Sequence, residues 1–247
     1  MAQPGSRKWH RTAPQLVLFI LLLGWICGVG ISGASAQERP ESVRPGINEQ
    51  FLNPALQVDE WVERFETESR EVFTAREEII GALHLEEGMR VADVGAGTGL
   101  FTHLFSQQVG PRGWVFAVDI SPRFAEHLAG MADRSRRQNI TPVLCAEDSI
   151  LLPPESVDLV FICDTYHHFE YPAGTLASIR RALRPGGRLA VIDFERIPGV
   201  SREWTLDHVR AGKETFRSEI EAAGFEIVRE LELDGLEENY FLLFRKP

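Results

Sequence analysis

The residues best placed to do chemistry surround a glycine-rich segment, VADVGAGTGLF. An apolar run there leads into three alternating glycines, and an acid, Asp93, stands two residues before the first of them, Gly95. Glycines let the backbone approach a ligand closely, and a helix that begins directly after them presents free N–H groups to that ligand. A dinucleotide fingerprint, G-x-G-x-x-G, would need a glycine where Leu100 stands. This disfavours a nicotinamide-linked oxidoreductase.

Further acids and two histidines follow later apolar runs. Asp119 ends the second run, where a carboxylate can accept both hydrogens of a ribose diol. Asp164 ends the fourth run, and His167 and His168 follow it. An imidazole with an ordinary pKa of about 6.5 suits a general base. The alternative for each histidine is that it packs or hydrogen-bonds a backbone group.

These residues need a scaffold of strands and helices, which the apolar periodicity predicts. Five short apolar runs have the pattern of buried parallel strands, at residues 90–94, 114–118, 141–145, 157–163 and 188–192. Helical patterns occur at 100–109, 122–132 and 173–183, and at 58–85 with a break that predicts two helices. Such alternation predicts a doubly wound α/β sheet. A last helix at 213–223 and strands at 226–233 and 240–245 predict an antiparallel pair at the sheet edge.

Several segments in order resemble the class I S-adenosylmethionine-dependent methyltransferases. The family's first motif has the form Asp-x-Gly-x-Gly-x-Gly, which occurs at residues 93–99. The segments 115–119, 147–153, 157–169 and 183–189 resemble its later motifs. The resemblance covers about residues 75–245. It implies an α/β fold with a seven-stranded Rossmann-like doubly wound sheet of order 3-2-1-4-5-7-6, the last strand antiparallel, in three α/β/α layers.

The resemblance also implies S-adenosyl-L-methionine as the co-substrate, with no metal. It places Asp93 near the methionine ammonium, Gly95, Ala96, Gly97 and Gly99 beneath the cofactor, Asp119 on the ribose, Ile120 on the adenine face, Asp148 on the adenine amine and Asp164 beside the methionine part. Glu147 is an alternative to Asp148. Capping is the alternative for Asp93 at its strand end, and for Asp119 at the next helix, although Ser121 is the better cap there.

Methyl transfer needs mainly a nucleophile held about 3 Å from the methyl carbon. A base is needed only if that nucleophile must lose a proton, and His167 and His168 are the candidates. The candidate substrate contacts are Tyr166 and, from an insert at 194–210, Trp204 and His208. The alternative for the insert is a solvated loop with one buried Trp. A small-molecule acceptor is expected, by analogy with the ubiquinone and menaquinone methyltransferases that the chain resembles. The sequence does not identify that acceptor.

The composition and net charge of the chain limit the classes of partner that it is expected to bind. The chain has 247 residues, 44% hydrophobic and 25% charged, which is typical of one globular domain with or without an appendage. The formal net charge of −10 provides no basic surface for nucleic acid, so no nucleic-acid partner is expected. The oligomeric state is not predicted.

The first 36 residues are basic and apolar, whereas the remaining 211 have a net charge of −13. A positive start, an apolar core and Ala34-Ser35-Ala36 follow the order of a secretory signal that is cleaved before Gln37. The alternative is an uncleaved anchor, with membrane contact only through residues 12–31. Either way we expect an exported domain, periplasmic or secreted if cleaved and facing outside if anchored. The expected divisions are a signal peptide at 1–36, a linker or strap at 37–56 and the methyltransferase domain at 57–247.

Export leaves a second hypothesis open. Because S-adenosylmethionine is made inside cells and a charged sulfonium does not cross a bilayer unaided, the alternative is an exported protein that binds this compound or a related nucleoside without catalysis. The unbroken set of cofactor residues argues against it. Cys145 and Cys163 are too few for a disulfide framework or a metal site, and the implied sheet order puts them about 14 Å apart, beyond the ~7 Å limit for a disulfide.

Overall fold

Residues 40–68, 70–134 and 138–247 are described by the structure, a computed structural model. The predicted signal peptide at 1–36 lies outside these described residues. Within them, none of the helices has the length and apolarity to cross a membrane.

The helices and strands alternate along most of the chain. In chain order they are α1 (Glu49–Leu52), α2 (Val58–Glu68), α3 (Arg70–Thr74), α4 (Arg76–Ala82), β1 (Arg90–Val94), α5 (Leu100–Gln108), β2 (Trp114–Asp119), α6 (Pro122–Arg134), β3 (Ile140–Leu144), β4 (Val157–Cys163), a 3₁₀ turn (Tyr166–His168), α7 (Pro172–Ala182), β5 (Leu183–Phe194), α8 (Glu203–His208), α9 (Lys213–Ala222), β6 (Glu226–Leu231) and β7 (Asn239–Arg245).

The described strands form a seven-stranded sheet in the order β3-β2-β1-β4-β5-β7-β6. Strands β1 to β5 pair in parallel, and β7 is antiparallel to both β5 and β6. The predicted fold class and strand order are therefore confirmed. All five parallel strands direct their carboxyl ends to one edge of the sheet, which is where α/β proteins bind ligands.

Two buried clusters show why the sheet carries helices on both faces. Successive residues of β4 alternate between them: Leu159 and Phe161 pack with α4, α5 and α6, while Val160 and Ile162 pack with α7 and α9. Both sides of the strand are fully buried, which explains its continuous apolar sequence. This gives the three layers that the resemblance implies.

Two elements differ from the sequence expectation. The helical region at 58–85 forms three helices rather than two, with a further turn at Ala75 between α3 and α4. Strand β5 begins at Leu183, where helix α7 has just ended, instead of at residue 188. Its pairing with β4 shifts register between Leu183 and Arg188, because the four residues between them bulge out.

Residues 40–57 cross the loops that follow β4 and β5. The backbone N–H of Val43 donates to the carbonyl of Glu170 at 2.9 Å, and the Arg44 guanidinium donates to the carbonyl of Asp207 at 2.7 Å. The side-chain amide of Asn48, which is buried, donates to the carbonyl of His168 at 3.0 Å. This segment is therefore held against the carboxyl edge of the sheet.

Cys145 follows β3, and Cys163 ends β4, with β2 and β1 between those strands. In the described part of the chain both are free thiols. Burial raises the pKa of Cys145 to about 12 and also raises that of Cys163. Two strands lie between these half-buried thiols, a separation too large for a disulfide bond.

Candidate functional site

A cleft lies over the carboxyl ends of the parallel strands and consists of two adjoining pockets. The Asp119 pocket contains Asp119, Ile120 and Glu147, and the histidine pocket contains His167, His168 and His208. Both pockets share a wall formed by Phe51, Phe65, Gly95, Gly97, Asp164, Thr165 and His168. With their open mouths included they hold about 760 and 990 Å³ of empty space.

The glycine loop after β1 forms the floor of the cleft. Gly95 has a φ of +75°, and a Cβ atom there would lie 2.3 Å from the Thr165 side chain. Only glycine therefore lets the loop after β1 meet the loop after β4. Gly97, with a φ of +51°, lies on the shared wall, where a Cβ would come within 3.1 Å of Phe65.

Gly99 has a different role from the one expected. It does not line either pocket; it precedes α5, and a Cβ there would lie 2.8 Å from the sulfur of Met131 on α6. Its φ of +89° also favours glycine. Gly99 therefore allows α5 and α6 to pack closely, and the floor of the cleft is made by the two earlier glycines and Ala96.

Asp119 is a buried carboxylate held by two backbone donors. Oδ2 accepts from the N–H of Gly97 at 2.8 Å, and Oδ1 accepts from the N–H of Ser121 at 2.7 Å. Burial raises its pKa to about 6, and the backbone N–H donors oppose that rise. Each carboxylate oxygen has a second lone pair, so the group is able to bind backbone and a ligand diol together.

Asp93 lines the histidine pocket at the end of β1. Its Oδ2 accepts a hydrogen bond from the hydroxyl of Thr102 on α5 at 2.6 Å, a contact that sequence analysis did not predict. Burial raises the pKa of Asp93 to about 7, and the hydrogen bond from Thr102 partly opposes this. A carboxylate with so high a pKa gains most from a nearby cation, because the cation replaces the lost solvation.

The structure distinguishes between the two acids that follow β3. Glu147 lines the Asp119 pocket together with Ile120, whereas Asp148 lines neither pocket. Asp148 instead packs close to Gly174 near the start of α7, where a Cβ on that glycine would lie 3.1 Å from the Asp148 carbonyl oxygen. The placement of these two acids favours Glu147, the alternative that the sequence left open, over Asp148.

His167 is oriented by a buried acid. Its Nδ1 lies 2.8 Å from Oδ1 of Asp193, and its backbone N–H donates to Oδ2 of the same residue at 3.1 Å. Asp193 is fully buried and precedes the last residue of β5. Sequence analysis missed Asp193, although it follows an apolar run in the same way as Asp119. The pair fixes the imidazole and leaves Nε2 for other partners.

His168 and His208 meet across the histidine pocket. Their Nε2 atoms lie 3.3 Å apart, and the Trp204 ring stacks on His208 with centroids 4.8 Å apart. Burial lowers the pKa of both histidines, that of His208 to about 4. Both imidazoles are therefore neutral near pH 7.

Tyr166 is not a cleft residue. Its ring is fully buried against Phe169 and Phe216, and its hydroxyl donates to Glu219 at 3.0 Å. The 3₁₀ turn directs Tyr166 into the core, while the next two residues line the cleft. This corrects its expected role as a substrate contact.

Asp164 holds a strained position on the shared wall. Its φ is +47°, which is uncommon outside glycine, and its Oδ1 accepts from the side-chain amide of Asn239 at 2.6 Å. Strained backbone is concentrated at ligand sites, where the surrounding structure maintains it.

An aromatic wall from the N-terminal part of the chain completes the cleft. Phe51, Trp61 and Phe65 pack with ring centroids 4.9 and 5.3 Å apart, and all three line the histidine pocket. The guanidinium of Arg64 lies over Trp61 at 4.6 Å. Sequence analysis placed Trp61 and Phe65 in a helix added to the sheet but missed Phe51 and Asn48, which have no local pattern.

The two sides of the cleft thus have different chemistry. The Asp119 pocket offers the carboxylates of Asp119 and Glu147 beside backbone, which suit hydroxyl and amine groups. The histidine pocket offers the Asp93 carboxylate, which suits an ammonium group. It also offers aromatic rings and the neutral imidazoles of His168 and His208, which suit a planar apolar molecule.

Comparisons with known proteins show a partial match in sequence to methyltransferases. Residues 92–189 match the family model of a methyltransferase domain. A ubiquinone/menaquinone biosynthesis C-methyltransferase of Cupriavidus metallidurans is 30% identical over 122 residues, which cover 48% of each chain. Its counterpart from Cupriavidus taiwanensis is 32% identical over 114 residues, 44% of this chain and 45% of that one. The matches thus span about half the length of these relatives.

Solved structures show the same fold. A SAM-dependent methyltransferase from Aquifex aeolicus has a TM-score of 0.68 at 23% identity, covering 78% of this chain and all of that one. A possible exported protein from Bordetella parapertussis has a TM-score of 0.57 at 17% identity, covering 72% and 68%. The chain therefore has the Rossmann-like fold of these methyltransferase structures, and its residues 92–189 match a methyltransferase domain.

Proposed function

We propose that the protein is an S-adenosylmethionine-dependent methyltransferase that acts on a small molecule with a planar apolar ring. The observation that carries this proposal is the meeting of the two pockets at Gly95 and Thr165. A cofactor that spans the shared wall there would place its reactive end in the histidine pocket.

The chain's own residues fit this cofactor. Gly95 and Gly97 leave a surface without side chains, and a Cβ atom at Gly95 would collide with Thr165. Asp119 would bind the ribose hydroxyls, Glu147 the adenine amine and Asp93 the ammonium group. The bound cofactor supplies a methyl group on a positively charged sulfur, which an acceptor atom displaces in line.

The histidine pocket would hold the acceptor. Phe51, Trp61 and Trp204 offer ring surfaces for a planar molecule, and Nε2 of His167 is available to take a proton from it. The Asp193 carboxylate would stabilise the resulting imidazolium. The curated relatives are C-methyltransferases of quinone biosynthesis, which agrees with a ring acceptor.

We expect the domain to work outside the cytoplasm, because residues 1–36 have the order of a secretory signal. Mass spectrometry of the natively expressed protein would find Gln37 at its N-terminus if the signal is cleaved. An intact Met1 on the whole population would contradict cleavage.

Calorimetry tests cofactor binding. We expect one S-adenosylmethionine per chain, and a loss of roughly 100-fold in affinity for Asp119→Ala, which removes charged hydrogen bonds worth about 1.5–3 kcal/mol each. Asp148→Ala is the matched control and keeps the affinity within about twofold, since Asp148 lies outside the cleft. No binding by the unmodified protein would overturn the proposal. Binding without methyl transfer to any of a panel of phenols and quinols would overturn its catalytic part.

A further inference from the structure

The histidine pocket groups three imidazoles, of which the proposed methyl transfer uses one, His167. One ring nitrogen of each of His167, His168 and His208 lies within 4.8 Å of the others. Two of these residues come from the 3₁₀ turn after β4, and the third ends α8, 40 residues further along the chain than His168. Only the fold unites them, so no short sequence motif shows the cluster.

The spacing of the imidazoles matches a metal coordination shell. Zinc binds histidine nitrogen at 2.0–2.1 Å with tetrahedral geometry, which separates two such nitrogens by about 3.3 Å. The Nε2 atoms of His168 and His208 lie 3.3 Å apart. The ring centroid of His208 lies 5.1 Å from those of His167 and His168, close to the ~5 Å expected of imidazoles that share one tetrahedral ion, whereas the centroids of His167 and His168 lie 4.3 Å apart.

An outer carboxylate orients one ligand. Metal-binding histidines almost always donate their second ring N–H to a carboxylate or carbonyl, which fixes the tautomer. Asp193 accepts from Nδ1 of His167 at 2.8 Å and is itself held by the backbone N–H groups of His167 and Phe194. Nε2 of His167 is thereby presented as a lone-pair donor.

The surroundings favour a cation here. Asp93 and Asp164 line the same pocket. Among its described lining residues Arg64 is the one with a Lys or Arg charge, and its guanidinium lies over Trp61.

We propose that His167, His168 and His208 bind one divalent transition-metal ion, with zinc as the first choice, and leave a coordination position open to the histidine pocket. Imidazole ligands suit zinc, and three protein ligands with an open fourth position are the arrangement of catalytic sites. An acceptor hydroxyl bound there would lose its proton to solvent and keep its electron pair for bond formation. The ion would thus replace the imidazoles as the group that activates the acceptor.

This site differs from the sequence expectation of no metal. The only metal ligands considered in the sequence were Cys145 and Cys163, which lie on separate strands. The proposal goes beyond the proposed function, because binding of the ion does not depend on binding of S-adenosylmethionine.

Titration with zinc chloride tests the site on untagged protein that has been treated with a chelator and dialysed. We expect one ion per chain with micromolar or tighter affinity by calorimetry and elemental analysis. His208→Ala should weaken binding at least tenfold, since it removes one of three ligands from a partly buried position. The matched control is His127→Ala on α6, a histidine outside the cluster, which should bind as the unmodified protein does.

Two further measurements separate ligation from folding. Cobalt(II) should give the intense visible bands of a tetrahedral site in the unmodified protein and lose them in His208→Ala. Asp193→Asn should weaken zinc binding about 10–100-fold, with circular dichroism used to show that the variant folds. No stoichiometric zinc, or equal zinc binding by His208→Ala, would overturn the metal site. If the unmodified protein bound zinc but did not bind S-adenosylmethionine, the metal site would stand and the proposed function would be overturned.

Discussion

Most residues of the Asp119 pocket lie at the carboxyl ends of strands and in the loops after them, whereas the histidine pocket also includes Trp61 of α2 and Trp204 and His208 of α8. Gly95, Asp119, Ile120 and Glu147 all fall within the residues that match the methyltransferase domain. Trp61, Trp204 and His208, which line the histidine pocket, fall outside that match.

The geometry of the two pockets is therefore set in different ways. A cofactor side made from β1, β2 and the loop after β3 has its geometry set by the parallel sheet itself, because each residue sits at a fixed strand end. An acceptor side that depends on Trp61 of α2 and on Trp204 and His208 of α8 is set in part by packing between elements. Its shape is therefore free to change without disturbing the sheet.

The largest expected effect is a loss of S-adenosylmethionine affinity. Gly95→Ala places a Cβ 2.3 Å from Thr165 at a φ of +75°, so the two loops must separate and S-adenosylmethionine affinity should fall by more than about 100-fold. Gly186→Ala is the matched control, because Gly186 has the same φ of +75° with nothing within 4 Å. It should cost only about 1 kcal/mol of stability and leave the affinity unchanged. Equal affinity losses in both variants would contradict the role of the Thr165 contact.

A second effect is the pH dependence of cofactor binding. The pKa of Asp93 is raised to about 7 by burial, so the free protein holds this carboxyl protonated below that pH, and binding an ammonium group must release the proton. Affinity should therefore fall about sixteenfold between pH 7 and 5.5 in calorimetric titrations, because about half of the carboxyl is ionised at pH 7 and about 3% at pH 5.5.

Asp93→Asn should remove most of that pH dependence and bind the cofactor weakly at every pH. Burial raises the pKa of Asp93 in the folded protein, so Asp93 ionises at a lower pH in the unfolded state than in the folded state. Its contribution to the free energy of unfolding therefore falls as pH rises from about 4 to 7. The variant should then unfold at a higher temperature than the wild type at pH 8. A variant that is both weak in binding and less stable would point to misfolding instead.

A smaller effect sharpens the boundary of the Asp119 pocket. Glu147→Ala should reduce S-adenosylmethionine affinity about tenfold, the worth of one hydrogen bond to a charged group. The size of the loss should shrink when an analogue without the adenine amino group replaces the cofactor. If the loss is the same for both compounds, Glu147 does not bind the amine.

The smallest effect concerns Tyr166. Tyr166→Phe removes the buried hydrogen bond to Glu219, so it should lower the free energy of unfolding by about 1 kcal/mol in urea. Cofactor affinity and the methylation rate should not change, because the ring lies in the core. A large loss of activity with unchanged stability would restore its candidacy as a substrate contact.

Sequence reasoning captured the sheet because each parallel strand is a continuous apolar run, and the glycine loop because its geometry depends on local backbone. It could not decide between Glu147 and Asp148, since the loop after β3 determines which neighbour faces the cleft. Phe51 and Asn48 escaped for another reason: their roles arise from packing against distant loops. Asp193 could have been found, because it follows an apolar strand as Asp119 does.

A crystal structure of the complex with S-adenosylhomocysteine would test whether the Asp119 pocket binds the nucleoside of the cofactor and the histidine pocket receives its reactive end. We expect the nucleoside in the Asp119 pocket, with the ribose on Asp119 and the adenine between Ile120 and Glu147. The sulfur should lie beside Thr165, at the entrance to the histidine pocket. A nucleoside bound among the histidines, or a cleft without the compound at saturating concentration, would contradict it.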